Sequence, residues 1–348
     1  MSKLLKAGGG LVAALLVVGV GVHLWSDAAA SARLAQTWPD VQGKDVPVPM
    51  PLTAEEVDAL RAELTAAGTD HAGAPLVATV ADDGTETLPD PLAGADLTAI
   101  ALERAVERGA HLYNVRLACK ECHKADLAGG LIAEAQPVWT WYAPNITAGG
   151  KTKDYTTPDW DRLIRHGVKP DDTNATMPAV DFMALSDREL SDVIAYVQSQ
   201  PAVDTVQPDT TLGPVGRILL ATGEMPIAAE DIDHAAATVT APPEAAATVE
   251  YGQHIAQVCV GCHRLEFEGG PIAMGPPDWP PAANLSRSEF KAWSQEQFVT
   301  ALRTGVRPDG TNLDPVAMPW SIIGQWTDLE LEAVHLYLQT LPAVPTGT

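Results

Sequence analysis

Four cysteines are all the chain has, and they fall in two matching settings, Cys119-Lys-Glu-Cys122-His123 and Cys259-Val-Gly-Cys262-His263. In C-x-x-C-H two thiols on one turn of chain can form thioethers to the vinyl groups of a haem. The adjacent histidine is then held under the iron as its proximal ligand. The pattern predicts two covalently bound c-type haems and leaves no cysteine for a disulfide. Structural zinc sites also use Cys-x-x-Cys pairs, but their second pair follows within about 20 residues; here Cys122 and Cys259 are 137 positions apart. A thioredoxin-like redox pair sits in a βαβ context, and both motifs are flanked by helical patterns.

An iron that only relays electrons takes two strong axial ligands and leaves no position for substrate. Methionine opposite histidine suits this role, because the soft thioether favours reduced iron and raises the potential. Met177 follows His123 by 54 residues and Met318 follows His263 by 55, each directly before a proline that stiffens the loop. Met50 and Met225 also precede proline but lie outside the stretch between a haem motif and its closing helix, and Met183 and Met274 have no counterpart in the other half. The residues thus predict Cys119, Cys122, His123 and Met177 at one haem and Cys259, Cys262, His263 and Met318 at the other, with both irons bound by histidine and methionine. The alternative is a second histidine from among His111, His166, His254 and His335. A labile sixth position would instead make a dihaem enzyme, a peroxidase or a thiosulfate-oxidising cytochrome.

The elements that position these residues come as an internal repeat. Domain 1 covers 97–203 and domain 2 covers 246–348. Val106-Glu-Arg-Gly109-Ala-His111 matches Val249-Glu-Tyr-Gly252-Gln-His254, a helix leading into each haem motif. Leu127-Ala-Gly-Gly130 matches Phe267-Glu-Gly-Gly270, and Pro144-Asn145-Ile-Thr147 is echoed by Ala283-Asn284-Leu-Ser286. Short helices end at Gly167 and Gly305, before Val-Lys/Arg-Pro-Asp. Ser186-x-x-Glu189 and Thr327-x-x-Glu330 are capping boxes that open the two closing helices. Strand-like alternation is scarce, so both domains read as mainly α. Residues 26–96 form a Pro/Ala-rich linker and extension, with Val46-Pro-Val-Pro-Met-Pro51 extended, a capped helix from Thr53 and a turn at Asp82-Asp83-Gly84. Residues 204–245 form a connector, too apolar at Arg217-Ile-Leu-Leu220 to be purely solvated.

Lys3 and Lys6 precede an apolar run from Ala7 to Trp25. Nineteen such residues can span the hydrocarbon core, with Trp25 at the outer interface and the lysines inside. Residues 1–25 therefore read as a membrane anchor, the alternative being a signal peptide cleaved near Ala28–Ala32. Either reading exports the rest, which places the haem domains on the periplasmic side of the cytoplasmic membrane. The net charge of −23 argues against nucleic acid and anionic lipid surfaces. It suits docking to a basic patch on a redox partner, or a merely solvated acidic surface.

Each copy resembles a class I cytochrome c domain, with its glycine-bearing N-terminal helix, C-x-x-C-H, Met-Pro loop and closing helix carrying Tyr196 or Tyr337. Together with Pro144-Asn-Ile-Thr and Gly-Val-Lys/Arg-Pro-Asp, over about residues 100–345, the pattern is similar to bacterial dihaem cytochromes c, including cytochrome subunits of membrane-bound alcohol and gluconate dehydrogenases. Those subunits usually carry three haem motifs, against two here. The resemblance implies two tandem class I domains after an N-terminal anchor and an electron carrier with no catalytic residues. It implies a respiratory relay between a dehydrogenase or quinol-oxidising complex and an acceptor such as a terminal oxidase, or a fixed cytochrome subunit of a larger oxidoreductase complex. It also offers Pro137 and Pro276 as sources of the carbonyls that orient the proximal histidines, against a plain role as turn prolines.

Overall fold

The structure, a computed structural model, describes residues 2–272 and 279–347, with side chains described from residue 18 onward. It is mainly helical. The chain enters through α1 (Ser2–Leu34) and α2 (Ala54–Ala67), the latter opened by the Thr53–Glu56 capping box. A small hairpin of β1 (Thr79–Val80) and β2 (Glu86–Thr87) follows, turning at Asp82-Asp83-Gly84.

Domain 1 consists of α3 (Leu97–His111), a π-helical turn Leu112–Arg116, α4 (Cys119–His123), β3 (Gly130–Ala135), β4 (Trp139–Ala143), α5 (Thr157–His166) and α6 (Asp187–Ser199). The connector supplies β5 (Thr211–Leu212), α7 (Pro214–Thr222) and α8 (Ala228–Asp231). Domain 2 holds α9 (Val249–Ile255), α10 (Val260–His263), α11 (Ser288–Lys291), α12 (Gln295–Thr304), α13 (Trp320–Ile323) and α14 (Asp328–Thr340). Both closing helices start at their capping boxes: the Glu189 N–H donates to Ser186 Oγ and the Glu330 N–H to Thr327 Oγ1, each at 3.2 Å. A cap of this kind contributes about 1 kcal/mol.

The same crossing builds both domains. α3 packs on α6 and α9 on α14, and a Cβ at Gly109 or Gly252 would collide with the carbonyl of Asp192 or Ala333. Tyr113, Leu127, Leu190 and Ile194 are buried in the first core, and Phe267, Trp326, Leu331 and Leu338 in the second.

Domain 1 is mainly α as expected, but it also holds a sheet that the scarce strand-like alternation did not announce. β3, β4 and β5 form an antiparallel sheet, with Trp139 opposite Leu212 and the connector as its third strand. The expected linker Val46–Pro51 is packed: Val46 is buried in the first core, and Ser191 Oγ donates to Pro47 O and accepts the Met50 N–H. Prolines keep this segment extended, while its valine finds an apolar seat.

Among the described residues no helix is long and apolar enough to cross a membrane. The apolar run Ala7–Trp25 lies largely where side chains are outside the description. α1 continues unbroken past Trp25 into the protein body, where Ser26 and Ala30 are buried, Asp27 pairs with Arg217 at 3.0 Å and Arg33 pairs with Glu230. Ala30, Val41, Leu220 and Met225 make a third small core.

The two domains meet through a reciprocal exchange. His111 Nε2 lies 2.9 Å from Glu330 Oε1, and His254 Nε2 lies 2.8 Å from Glu189 Oε2. The histidines are repeat-equivalent, and so are the glutamates. Arg116, itself buried, also pairs with Glu189.

Candidate haem sites

Each haem motif forms a short helix whose exit requires unusual backbone. Lys124 and Arg264, directly after the histidines, have φ of 67° and 64°; Leu127 and Phe267 have 59° and 56°. Gly129 and Gly269 follow at 72° and 66°, and their N–H groups donate to His123 O and His263 O at 3.0 and 3.1 Å. The matched sequence Leu127-Ala-Gly-Gly130 and Phe267-Glu-Gly-Gly270 is the signature of this tight return.

The return brings a carbonyl under each imidazole. His123 Nδ1 lies 3.1 Å from Pro144 O, and His263 Nδ1 lies 2.8 Å from Ala283 O. An Nδ1–H donating to a carbonyl leaves the Nε2 lone pair free for a metal and fixes the ring's orientation. Burial pulls both imidazoles toward the neutral form, against the opposing effect of the carbonyl bond. Pro137 does not have the role that the resemblance offered it: its carbonyl accepts the Val215 N–H at 3.1 Å, tying the β3–β4 turn to the connector. Pro276 lies outside the described residues. The residues that do the work open the matched Pro144-Asn145 and Ala283-Asn284 segments. Asn145 Nδ2 donates to Val203 O at 2.7 Å and Asn284 Nδ2 to Val344 O at 2.9 Å, which locks each segment to the chain beyond its closing helix.

Cys119, Cys122, His123 and Met177 line one cavity of about 450 Å³ in domain 1. Its inner wall is apolar and aromatic, from Tyr113, Leu117, Ile146, Trp160 and Phe182, with Trp141 and Tyr142 of β4 closing one side. In domain 2, Cys259 and Met318 pack on the second core and His263 is buried.

The two methionine loops share one backbone turn. Pro178 (φ −75°, ψ 66°) and Pro319 (φ −75°, ψ 58°) each centre an inverse γ-turn, with Ala179 N–H donating to Met177 O at 2.8 Å and Trp320 N–H to Met318 O at 2.6 Å. Proline's ring sets that φ in advance, so the sulfur-bearing residue is held on a stiff turn.

None of the four alternative histidines lines the domain 1 cavity. His111 and His254 serve the domain contact, His166 Nδ1 lies 3.2 Å from His234 Nδ1, and His335 Nε2 lies 3.1 Å from Trp293 O. The cysteines form no disulfide. Burial pushes the Cys119 and Cys259 thiols up to about 12.

The residues present fit a c-type haem: a bare Nε2, two cysteines and a thioether round one apolar cavity. The family profile for cytochrome c matches residues 106–201 and 249–342, more than half of the chain. The chain belongs to the cytochrome c family. This cytochrome's function is therefore electron transfer, with c-type haem as the cofactor of its fold. It is similar to the cytochrome c subunits of the alcohol dehydrogenase (quinone) of Gluconacetobacter polyoxogenes and of Komagataeibacter europaeus, each 29% identical over 292 residues covering 73% of this chain and 60% of theirs. The corresponding subunit of Gluconobacter oxydans is 28% identical over 294 residues, with 73% and 58% covered. The chain thus spans about 60% of the length of these relatives.

Proposed function

We propose that this cytochrome carries two covalent haems and relays single electrons within a complex that couples alcohol oxidation to quinone. Cys119 and Cys122 would hold the first haem, and His123 and Met177 would ligate its iron. Cys259 and Cys262 would hold the second, with His263 and Met318. Bound haem iron supplies reversible one-electron oxidation. The chain's own contribution is to orient each imidazole by a carbonyl at Nδ1, to hold each thioether on a proline-centred turn and, in domain 1, to supply a largely apolar cavity. The observation that carries this reading is the matched pair of Met-Pro turns. A methionine ligand at each iron would leave no open position for substrate, which favours a carrier over a dihaem peroxidase. The relatives' names support a place beside a dehydrogenase.

The reading extends to location. α1 would anchor the protein in the cytoplasmic membrane, with the haem domains on the periplasmic side. Cleavage near Ala30 would cut a helix whose last turns are packed on the connector, so an uncleaved anchor fits better than a signal peptide. The test is the mass of the denatured chain, together with co-purification in mild detergent. Two thioether-bound haems and a co-purifying dehydrogenase chain are expected; one haem or none would sink the reading.

A further inference from the structure

The loop that carries Met177 does not end at its own haem site. Beyond Pro178 the turn Ala179–Asp181 runs against the haem motif of domain 2. There Asp181 Oδ1 accepts the Gly261 N–H at 2.8 Å, and Gly261 stands between Cys259 and Cys262. The approach requires glycine, since a Cβ at 261 would fall within the Asp181 carboxylate. Val180 packs on the second core, and Val258, next to Cys259, packs on both cores. The fit is one-sided. By repeat alignment, Ile322 stands where Asp181 does and Glu121 where Gly261 does. Isoleucine has no side-chain acceptor, so the reverse bond cannot form.

We propose that Asp181 is a positioning residue for electron transfer between the two haems. The link rests on the two-haem reading given above. It runs from Met177 along the backbone to Asp181, across one hydrogen bond to Gly261 and on to Cys262. Per unit length, the coupling between two redox centres decays less through bonds and hydrogen bonds than through empty space. In the transfer one bound iron would give up an electron and be oxidised while the other would take it up and be reduced, with no covalent bond made or broken. Because the repeat offers no matching bond in reverse, the route would join Met177 of domain 1 to Cys262 of domain 2.

The test compares Asp181→Asn, which keeps an Oδ1 acceptor, with Asp181→Ala, which does not. Gly261→Ala breaks the same contact from the other side. In the full chain, with haem content first counted by mass, two quantities are read: hydrogen exchange of the Gly261 amide, and equilibration between the irons after partial photoreduction. In Asp181→Ala the amide should exchange about tenfold faster and equilibration should slow. Gly261→Ala should slow equilibration as well, and Asp181→Asn should keep both quantities near the original values. Faster exchange with unaltered equilibration would reduce Asp181 to a structural strut and overturn the proposal. Unchanged exchange in Asp181→Ala, or Asp181→Asn behaving like Asp181→Ala, overturns it too. Fewer than two haems would overturn the two-haem reading and this inference together; two haems with any of the contrary outcomes overturn this inference alone.

Discussion

The Pro144 carbonyl oxygen that lies 3.1 Å from His123 Nδ1 also lies over Gly129, where a Cβ would come within 2.5 Å of it. The histidine's orientation and the glycine are thus one requirement. Gly129→Ala must either abandon φ 72° or push the carbonyl from the ring. The expected cost is about 1–3 kcal/mol, seen as a lower thermal midpoint and a smaller fraction of chains with haem on the first motif. Gly269→Ala, beneath the Ala283 carbonyl, should act likewise on the second motif. Normal haem content and stability in both variants would refute the account.

Met177→Ala should abolish one haem's share of the weak sulfur-to-iron charge-transfer band in the ferric spectrum. It should also open that haem to carbon monoxide and lower its potential. Met318→Ala should do the same at the second haem. A high-spin component, or ready carbon monoxide binding, in the unaltered protein would instead mark that haem as a candidate catalytic centre.

The domain contact should weaken in acid. Burial alone would raise the Glu189 carboxyl, but Arg116 and His254 outweigh it and hold the group down at about 2. Glu330 is also held low, against burial, by its bond from His111 and by the Thr327 N–H. A carboxyl depressed on folding contributes stability that is fully present above its ordinary value of 4.5 and is lost as pH falls through the folded value. Thermal midpoints should therefore drop between about pH 4.5 and 2. Glu189→Gln should cost about 3 kcal/mol at neutral pH, because buried Arg116 loses the carboxylate it pairs with. A flat acid profile, or a neutral Glu189→Gln, would contradict this.

The N-terminus offers a direct check on the anchor. The isolated protein should retain α1 and need detergent to leave the membrane. A mature chain beginning between Ala30 and Leu34, and soluble without detergent, would identify the apolar run as a cleaved signal. Such a chain should also be less stable, since it loses buried Ser26 and the pairing of Asp27 with Arg217 of α7.

Local chemistry was legible in the sequence, and tertiary choices were not. The capping pairs Ser186–Glu189 and Thr327–Glu330 depend on residues three apart, and the structure forms both. The Met-Pro spacing likewise anticipates two loops with one backbone turn. Which carbonyl would reach His123 depends on how the chain returns over Gly129, and the resemblance offered Pro137 in its place. The repeated Pro144-Asn145 and Ala283-Asn284 segments held the better signal, because each asparagine fixes its segment to the chain end of its domain. The sheet was hidden because Leu131–Ala143 is rich in aromatics without clean alternation, and its third strand comes from the connector. His111 and His254 looked like spare ligands only because their glutamate partners lie in the other repeat.

That exchange of partners has a further consequence. When residue i of one half meets residue j of the other, and j meets i in return, the contact has the form of a two-fold symmetric dimer interface. Here both halves belong to one chain, so residues 204–245 replace association at cellular concentration with an intramolecular encounter. Once two copies are fused, each is also free to diverge from the other. Asp181 against Ile322 and Gly261 against Glu121 are differences that a true homodimer, with one sequence for both subunits, could never acquire.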